Sequence, residues 1–122
     1  MLRSARPFAL AAAFIGVASS AALASGACDF FAGPGYRGEG FTLYGGHVLL
    51  TETVNSQLLN AIAGGSAYQT FTDPRWKGRV VSVRVQAGCT ATMTDGAGRV
   101  SHASDAPNTG AYGAIAYACV CG

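Results

Sequence analysis

The stretch Cys28-Asp29-Phe30-Phe31-Ala32-Gly33-Pro34-Gly35-Tyr36-Arg37-Gly38 decides how the rest of the chain is read. Phe30 and Phe31 favour an extended backbone, because aromatic side chains pack well on a pleated surface. Gly33-Pro34-Gly35 cannot continue a strand, since proline lacks a ladder N–H and the flanking glycines open turn conformations. Phe41-Thr42-Leu43-Tyr44 then reads as the returning strand. The hairpin so formed carries Tyr36 at its tip and Gly38 two residues on. A residue without Cβ suits a positive φ there and leaves room for a neighbouring ring.

Residues 1–24, before the hairpin, read as an export signal. Arg3 and Arg6 make a positive start, Phe8 to Val17 is an apolar core, and Ala22-Leu23-Ala24 is an A-x-A cleavage site. The apolar run is shorter than the roughly 20 residues that span a bilayer. The full chain holds 8 Lys+Arg against 6 Asp+Glu, but Arg3 and Arg6 leave with the signal. The remainder is formally neutral, which argues against nucleic acid or an acidic membrane as a partner. Residues 25–122 suffice for one small domain with a modest core. A secreted or periplasmic protein is expected, with no membrane span after processing.

All four cysteines, Cys28, Cys89, Cys119 and Cys121, lie in that exported part. An even count in a small secreted chain reads as two disulfides. Cys119 and Cys121 stand two apart in an apparent strand, so their side chains run parallel on one face, a poor orientation for a bond between them. Cys28 and Cys89 are therefore expected each to take one of the two. A zinc site is disfavoured by the spacings and by the oxidising compartment.

Beyond the hairpin, Thr53 or Asn55 caps a short helix running to Ala63, with Val54, Leu58, Leu59 and Ile62 on one face and Gly64-Gly65 as its stop. Tyr68 to Thr72 is β-like. Val80 to Gln86 is the clearest strand, with Val81, Val83 and Val85 on one face, and Cys89 to Thr94 alternates with Cys89, Ala91 and Met93 on one side. Asp95-Gly96 signals a turn. Residues 97–108 are polar and poorly patterned. In the last strand, Ile115, Tyr117, Cys119 and Cys121 are expected to share a face. Short strands punctuated by Gly and Pro, with one helix, argue for an all-β sandwich. A weak repeat adds to this: Gly78 to Val85 and Gly113 to Val120 share apolar spacing, and each follows an aromatic, Trp76 or Tyr112.

The spacing Phe31-x-x-x-x-Tyr36-x-Gly38 resembles the hairpin signature of the βγ-crystallin Greek-key family. The resemblance implies two Greek-key motifs packed as a β-sandwich, here stapled by the disulfides expected from the cysteine count, and calcium held between two loops of N/D-N/D-x-x-S/T-S type. This chain departs from that pattern. Lys77-Gly78-Arg79-Val80-Val81-Ser82 keeps the final serine alone, and Tyr112-Gly113-Ala114-Ile115-Ala116-Tyr117 keeps nothing. A hard cation needs some 6–8 oxygens, and Lys77 would repel it. No calcium and no other cofactor is expected. The second hairpin, Thr94 to Ser101, has lost both aromatics and the glycine, and the first half is long, with the helix and an extra strand between Leu43 and Trp76.

No catalytic constellation is legible. His47 and His102 read as a solvated loop residue and a coil residue, without a carboxylate or nucleophile at triad or metal spacing, and the six mature carboxylates are scattered. The expected function is a non-catalytic structural or binding protein with an unidentified protein or surface partner. The most distinctive candidate for contact is Asp73 to Arg79, where Arg75, Lys77 and Arg79 surround Trp76, the single tryptophan. Some secreted relatives of this fold act as protease inhibitors or killer toxins, which makes the Arg75–Arg79 loop the alternative functional element. The competing expectation is that Trp76 is the core aromatic ahead of the fourth strand, with the basic residues solvated around it.

Overall fold

Each half of the chain opens with a cysteine-bearing strand that folds back on itself. The computed structural model describes residues 26–64, 67–110 and 112–122, and the export signal expected over residues 1–24 lies outside them. In chain order the elements are β1 (Ala27–Gly33), β2 (Arg37–Tyr44), β3 (His47–Leu50), α1 (Ser56–Ile62), β4 (Gln69–Thr72), β5 (Ser82–Val85), β6 (Cys89–Thr94), β7 (Arg99–His102) and β8 (Ala116–Cys121). They form a three-stranded sheet, β2-β1-β5, and a five-stranded sheet, β4-β3-β8-β6-β7.

The third strand of each half crosses to the other sheet. β1, β2 and β5 stay together, while β3 pairs antiparallel with β8 of the second half. The second half's counterpart is reduced to a bridge between Val83 and Ala106, closed by backbone bonds of 3.0 and 2.9 Å. The two Greek keys thus interlock. The surplus in the first half is a parallel crossover: β3 leads through α1 to β4, which adds to the open side of β3 with Leu49 opposite Phe71.

The first-half insertion creates a third layer. Asn55 Oδ1 accepts the Leu58 N–H at 2.7 Å and caps α1, so Asn55 rather than Thr53 starts the helix. Ile62 and Ala63, with Val54, Leu58 and Leu59, cover Val48, Leu50, Ala116 and Ala118 on the outer face of the large sheet. The alternation in β8 follows: Ala116 and Ala118 let the helix approach, while Tyr117 and Cys119 enter the core between the sheets. Ile115 precedes the strand and packs on the helix side, so it does not share a face with Tyr117 as its spacing predicts.

Rings dominate the core between the sheets. Phe30 stacks on Phe41 at 4.8 Å, Tyr117 meets both edge-on at 5.5 and 5.4 Å, and Trp76 meets Phe41 at 4.7 Å. Cys28–Cys119 joins β1 to β8 across the sandwich, and Cys89–Cys121 joins neighbouring strands within the large sheet. The Sγ atoms of Cys119 and Cys121 lie 3.7 Å apart. Gly26 lies against the Cys89–Cys121 bridge at φ +48°, and a Cβ there would collide with Cys89 Sγ.

Three further readings of the sequence are corrected. The poorly patterned stretch 97–108 contains β7 and the Ala106 bridge, because its pairing comes from distant partners rather than from local alternation. His102 ends β7 and is not in coil. His47 begins β3, half-buried, with Nδ1 accepting the Tyr44 N–H at 3.1 Å, so it is not a freely solvated loop residue.

The tip of the first hairpin shows what the surviving serine does. Tyr36 sits at φ +63°, uncommon for a residue with a side chain, and Gly38 at +81°. Fully buried Ser82 donates its hydroxyl to Gly33 O at 2.6 Å and accepts the Tyr36 N–H at 3.0 Å. The Tyr36 ring meets Phe31 edge-on at 6.0 Å and lies under the Arg84 guanidinium at 4.5 Å. Ser82→Ala is expected to leave both backbone groups unsatisfied and to lower stability by about 1–3 kcal/mol in denaturant titration. An unchanged midpoint would mean that the hairpin holds Tyr36 without it.

Candidate functional site

Residues 73–79 form a rigid corner. Pro74–Trp76 is a single 3-10 turn capped by Asp73, whose Oδ1 accepts both the Arg75 N–H and Nε–H at 3.1 Å. The Arg75 guanidinium holds the Asp73 carboxyl below the usual carboxylate range, and Asp73 in turn raises Arg75. Trp76 is 3% exposed, and its carbonyl accepts the Tyr117 hydroxyl at 2.7 Å. The Arg79 guanidinium lies 4.8 Å over the indole.

Each basic side chain of the corner has an acidic partner. Arg75 reaches Asp73 at 2.9 Å and Glu39 at 3.7 Å, Arg79 reaches Glu39 at 3.1 Å, and Lys77 reaches Glu52 at 3.0 Å. Such exposed pairs add little stability. Their effect is electrostatic: three cations face three carboxylates, so the corner projects little net positive field. Of the four residues singled out in this loop, Trp76 is a core residue, while Arg75, Lys77 and Arg79 are exposed.

Tyr117 ties this corner to the second half. Burial pushes its phenol above the ordinary tyrosine value, against a smaller opposing pull from the backbone N–H groups of residues 78–80. A folded-state value above the unfolded one means stability is intact below the unfolded tyrosine value of about 10 and declines as pH rises from there through the folded value. Alkaline unfolding monitored by fluorescence is expected to show this decline. Tyr117→Phe should flatten it, while costing about 1 kcal/mol at neutral pH. An unchanged alkaline slope in the variant would assign the decline to other groups.

No protein-family model matches the sequence. No curated protein matches it either. Among solved structures, the N-terminal domain of protein S superposes with a TM-score of 0.51 at 15% identity, over 78% of this chain and 96% of that one. A double mutant of a βγ-crystallin domain from Clostridium beijerinckii gives 0.50 at 20% identity, over 77% and 96%. A single mutant of the same domain gives 0.50 at 19%, over 77% and 97%.

The fold is that of a βγ-crystallin domain. In this βγ-crystallin-like domain the residues at the two loops do not fit a calcium ion. The Ser82 hydroxyl is used up on Gly33 and Tyr36. Val81 O accepts the Thr109 N–H at 2.8 Å, Trp76 O accepts Tyr117, and Ala114 O accepts the Gly78 N–H at 2.9 Å. Lys77 holds the charged position, paired to Glu52. Neither run carries a carboxylate or side-chain amide, so the anionic oxygens that a hard cation takes are missing from both. Among the described residues, the cluster of potential metal ligands is Cys89, Cys119 and Cys121, all committed to disulfides.

Two surface features of the βγ-crystallin-like domain escape sequence reasoning. One is an aromatic strip: Tyr44 and Phe71 flank His47 edge-on at 5.6 and 5.0 Å, with Tyr44 and Phe71 51% and 40% exposed. The three come from β2, β3 and β4 of different sheets, so no local spacing announces them. The other is an open cleft of about 250 Å³ between α1 and the β6–β7 turn, lined by Leu58, Ile62, Thr94 and Arg99 among others. It opens beside the second hairpin, where small residues stand in place of aromatics. Thr94 Oγ1 is buried there without a partner.

Proposed function

We propose that the chain is an exported, non-catalytic structural or binding protein of the cell envelope or extracellular space, working without calcium. The observation that supports it is that the hydroxyl, thiol and basic groups singled out in the sequence already have partners within the chain. The Ser82 hydroxyl holds the hairpin, the cysteines are bridged, and the cations of the 73–79 corner are matched by carboxylates. The disulfides fit an oxidising compartment. Among the described residues no helix is long and apolar enough to cross a membrane. Mass spectrometry of the protein from its own host tests the export reading. It expects a chain starting after Ala24 with both disulfides formed, and reduced thiols or a retained residue 1 would refute it. Pull-down from the culture medium then identifies the partner, and calorimetry showing micromolar calcium binding would overturn the calcium-free reading.

A second reading, a secreted protease inhibitor or killer toxin, has one observation in its favour. The 73–79 corner is pre-organised by the Asp73 cap and the buried Trp76, yet presents Arg75 and Lys77 at 67% and 61% side-chain exposure. A rigid exposed loop loses little entropy on binding. This reading requires inhibition or killing that the Arg75→Ala, Lys77→Ala double variant loses. Inactivity across a broad protease panel and against competitor cells removes it.

A further inference from the structure

Sheet edges invite other strands unless they are blunted by charge, proline, a bulge or a cover. Among the described residues, three of the four edges are. β2 carries Arg37 and Glu39 and a register shift against β1, β7 carries Arg99, and β5 is covered by the Ala106 bridge and by Asp105, whose Oδ1 accepts the Val85 N–H at 2.8 Å. The fourth edge, β4, reads Gln-Thr-Phe-Thr, is exposed along its whole length and has no charge or proline within it. Its backbone is turned to receive a partner. Gln69 N–H bonds to Gly46 O and Asp73 N–H to Leu50 O, so the parallel ladder uses residues 69, 71 and 73 and leaves Thr70 and Thr72 facing outward.

We propose that β4 is a self-association edge, pairing antiparallel with β4 of a second copy about a two-fold axis at Phe71. The register follows from the outward residues. Thr70 of one copy opposes Thr72 of the other, and the reverse, giving four backbone hydrogen bonds. Phe71 then opposes its own counterpart as a non-hydrogen-bonded pair, in which side chains come closest. A two-fold axis makes every patch meet itself, so like charge on β4 would repel. β4 has none, and it offers Phe71 beside the Tyr44 and His47 rings instead. The product is a continuous sheet joining the two five-stranded sheets. The pairing is independent of the inhibitor and envelope readings.

Sedimentation of the oxidised protein purified from its own host, over a wide concentration series, tests this. A reversible monomer–dimer equilibrium is expected. Thr70→Pro removes an outward N–H that the fold itself does not use, and should weaken the dimer about tenfold or more. Phe71→Lys should do the same through charge repulsion, and it decides the matter if the proline variant fails to fold. Phe71→Cys should form an intermolecular disulfide on a non-reducing gel, since opposed Cα atoms in such a pair lie about 4.5 Å apart, whereas Tyr68→Cys should not. A monomer at every concentration, a dimer indifferent to both Thr70→Pro and Phe71→Lys, or a monomer that binds a foreign extended peptide at β4 would each overturn the proposal.

Discussion

Replacing Cys28 and Cys119 together by alanine is expected to lower stability by about 4–5 kcal/mol, a large part of what a domain of this size possesses. The bond closes a loop of 91 residues and spans the sandwich from β1 to β8, so it restricts nearly the whole unfolded chain. Cys89–Cys121 closes a loop of 32 residues between strands already paired by backbone bonds, and the same entropic relation gives about 3–4 kcal/mol. Urea denaturation of the two double variants measures the difference. Equal losses would show that native-state packing around the sulfurs outweighs loop length.

Phe30→Ala is expected to cost about 3–5 kcal/mol, the range for removing a fully buried aromatic. Phe30 is 0% exposed, stacks on Phe41 and meets Tyr117 edge-on, so its loss opens a cavity where both sheets meet. Phe31, the neighbouring aromatic on the other face, touches the Tyr36 ring at the hairpin tip and is half-buried, so Phe31→Ala should cost clearly less. Denaturant midpoints of the two variants decide. A larger effect at Phe31 would mean that the hairpin tip, not the ring cluster, is the weakest point of the first Greek key.

The sequence was most informative where structure is set by neighbours in the chain. Gly33-Pro34-Gly35 and Gly38 announce the hairpin through backbone freedom and the missing proline N–H. Asn55 with Leu58 and Ile62 announces the helix through capping and period. The decayed ion runs are visible because ligands are residue types, and Lys77 and Gly78 are not oxygen donors. Legibility fell where partners lie far apart. β7 hides in a polar stretch because its order comes from β6, and His47 looks solvated until β2 and β4 bring Tyr44 and Phe71 against it. The basic loop is half legible. Burial of Trp76 matches its place ahead of the fourth strand, but neutralisation by Glu39 and Glu52 depends on β2 and the β3–α1 connection coming alongside.

By itself, then, the sequence determined the corner at Cys28–Gly38, the capped helix over 56–62, and a β-sandwich with cysteines at both ends. Each of these follows from local backbone chemistry or from which atoms a side chain carries. Tertiary structure alone decided that Cys28 takes Cys119, that β3 crosses sheets, that Ser82 is the buried clasp of the hairpin, and that β4 is left as the bare edge. These depend on which distant strands share a ladder, and loop closure between distant residues leaves no period in the sequence to read.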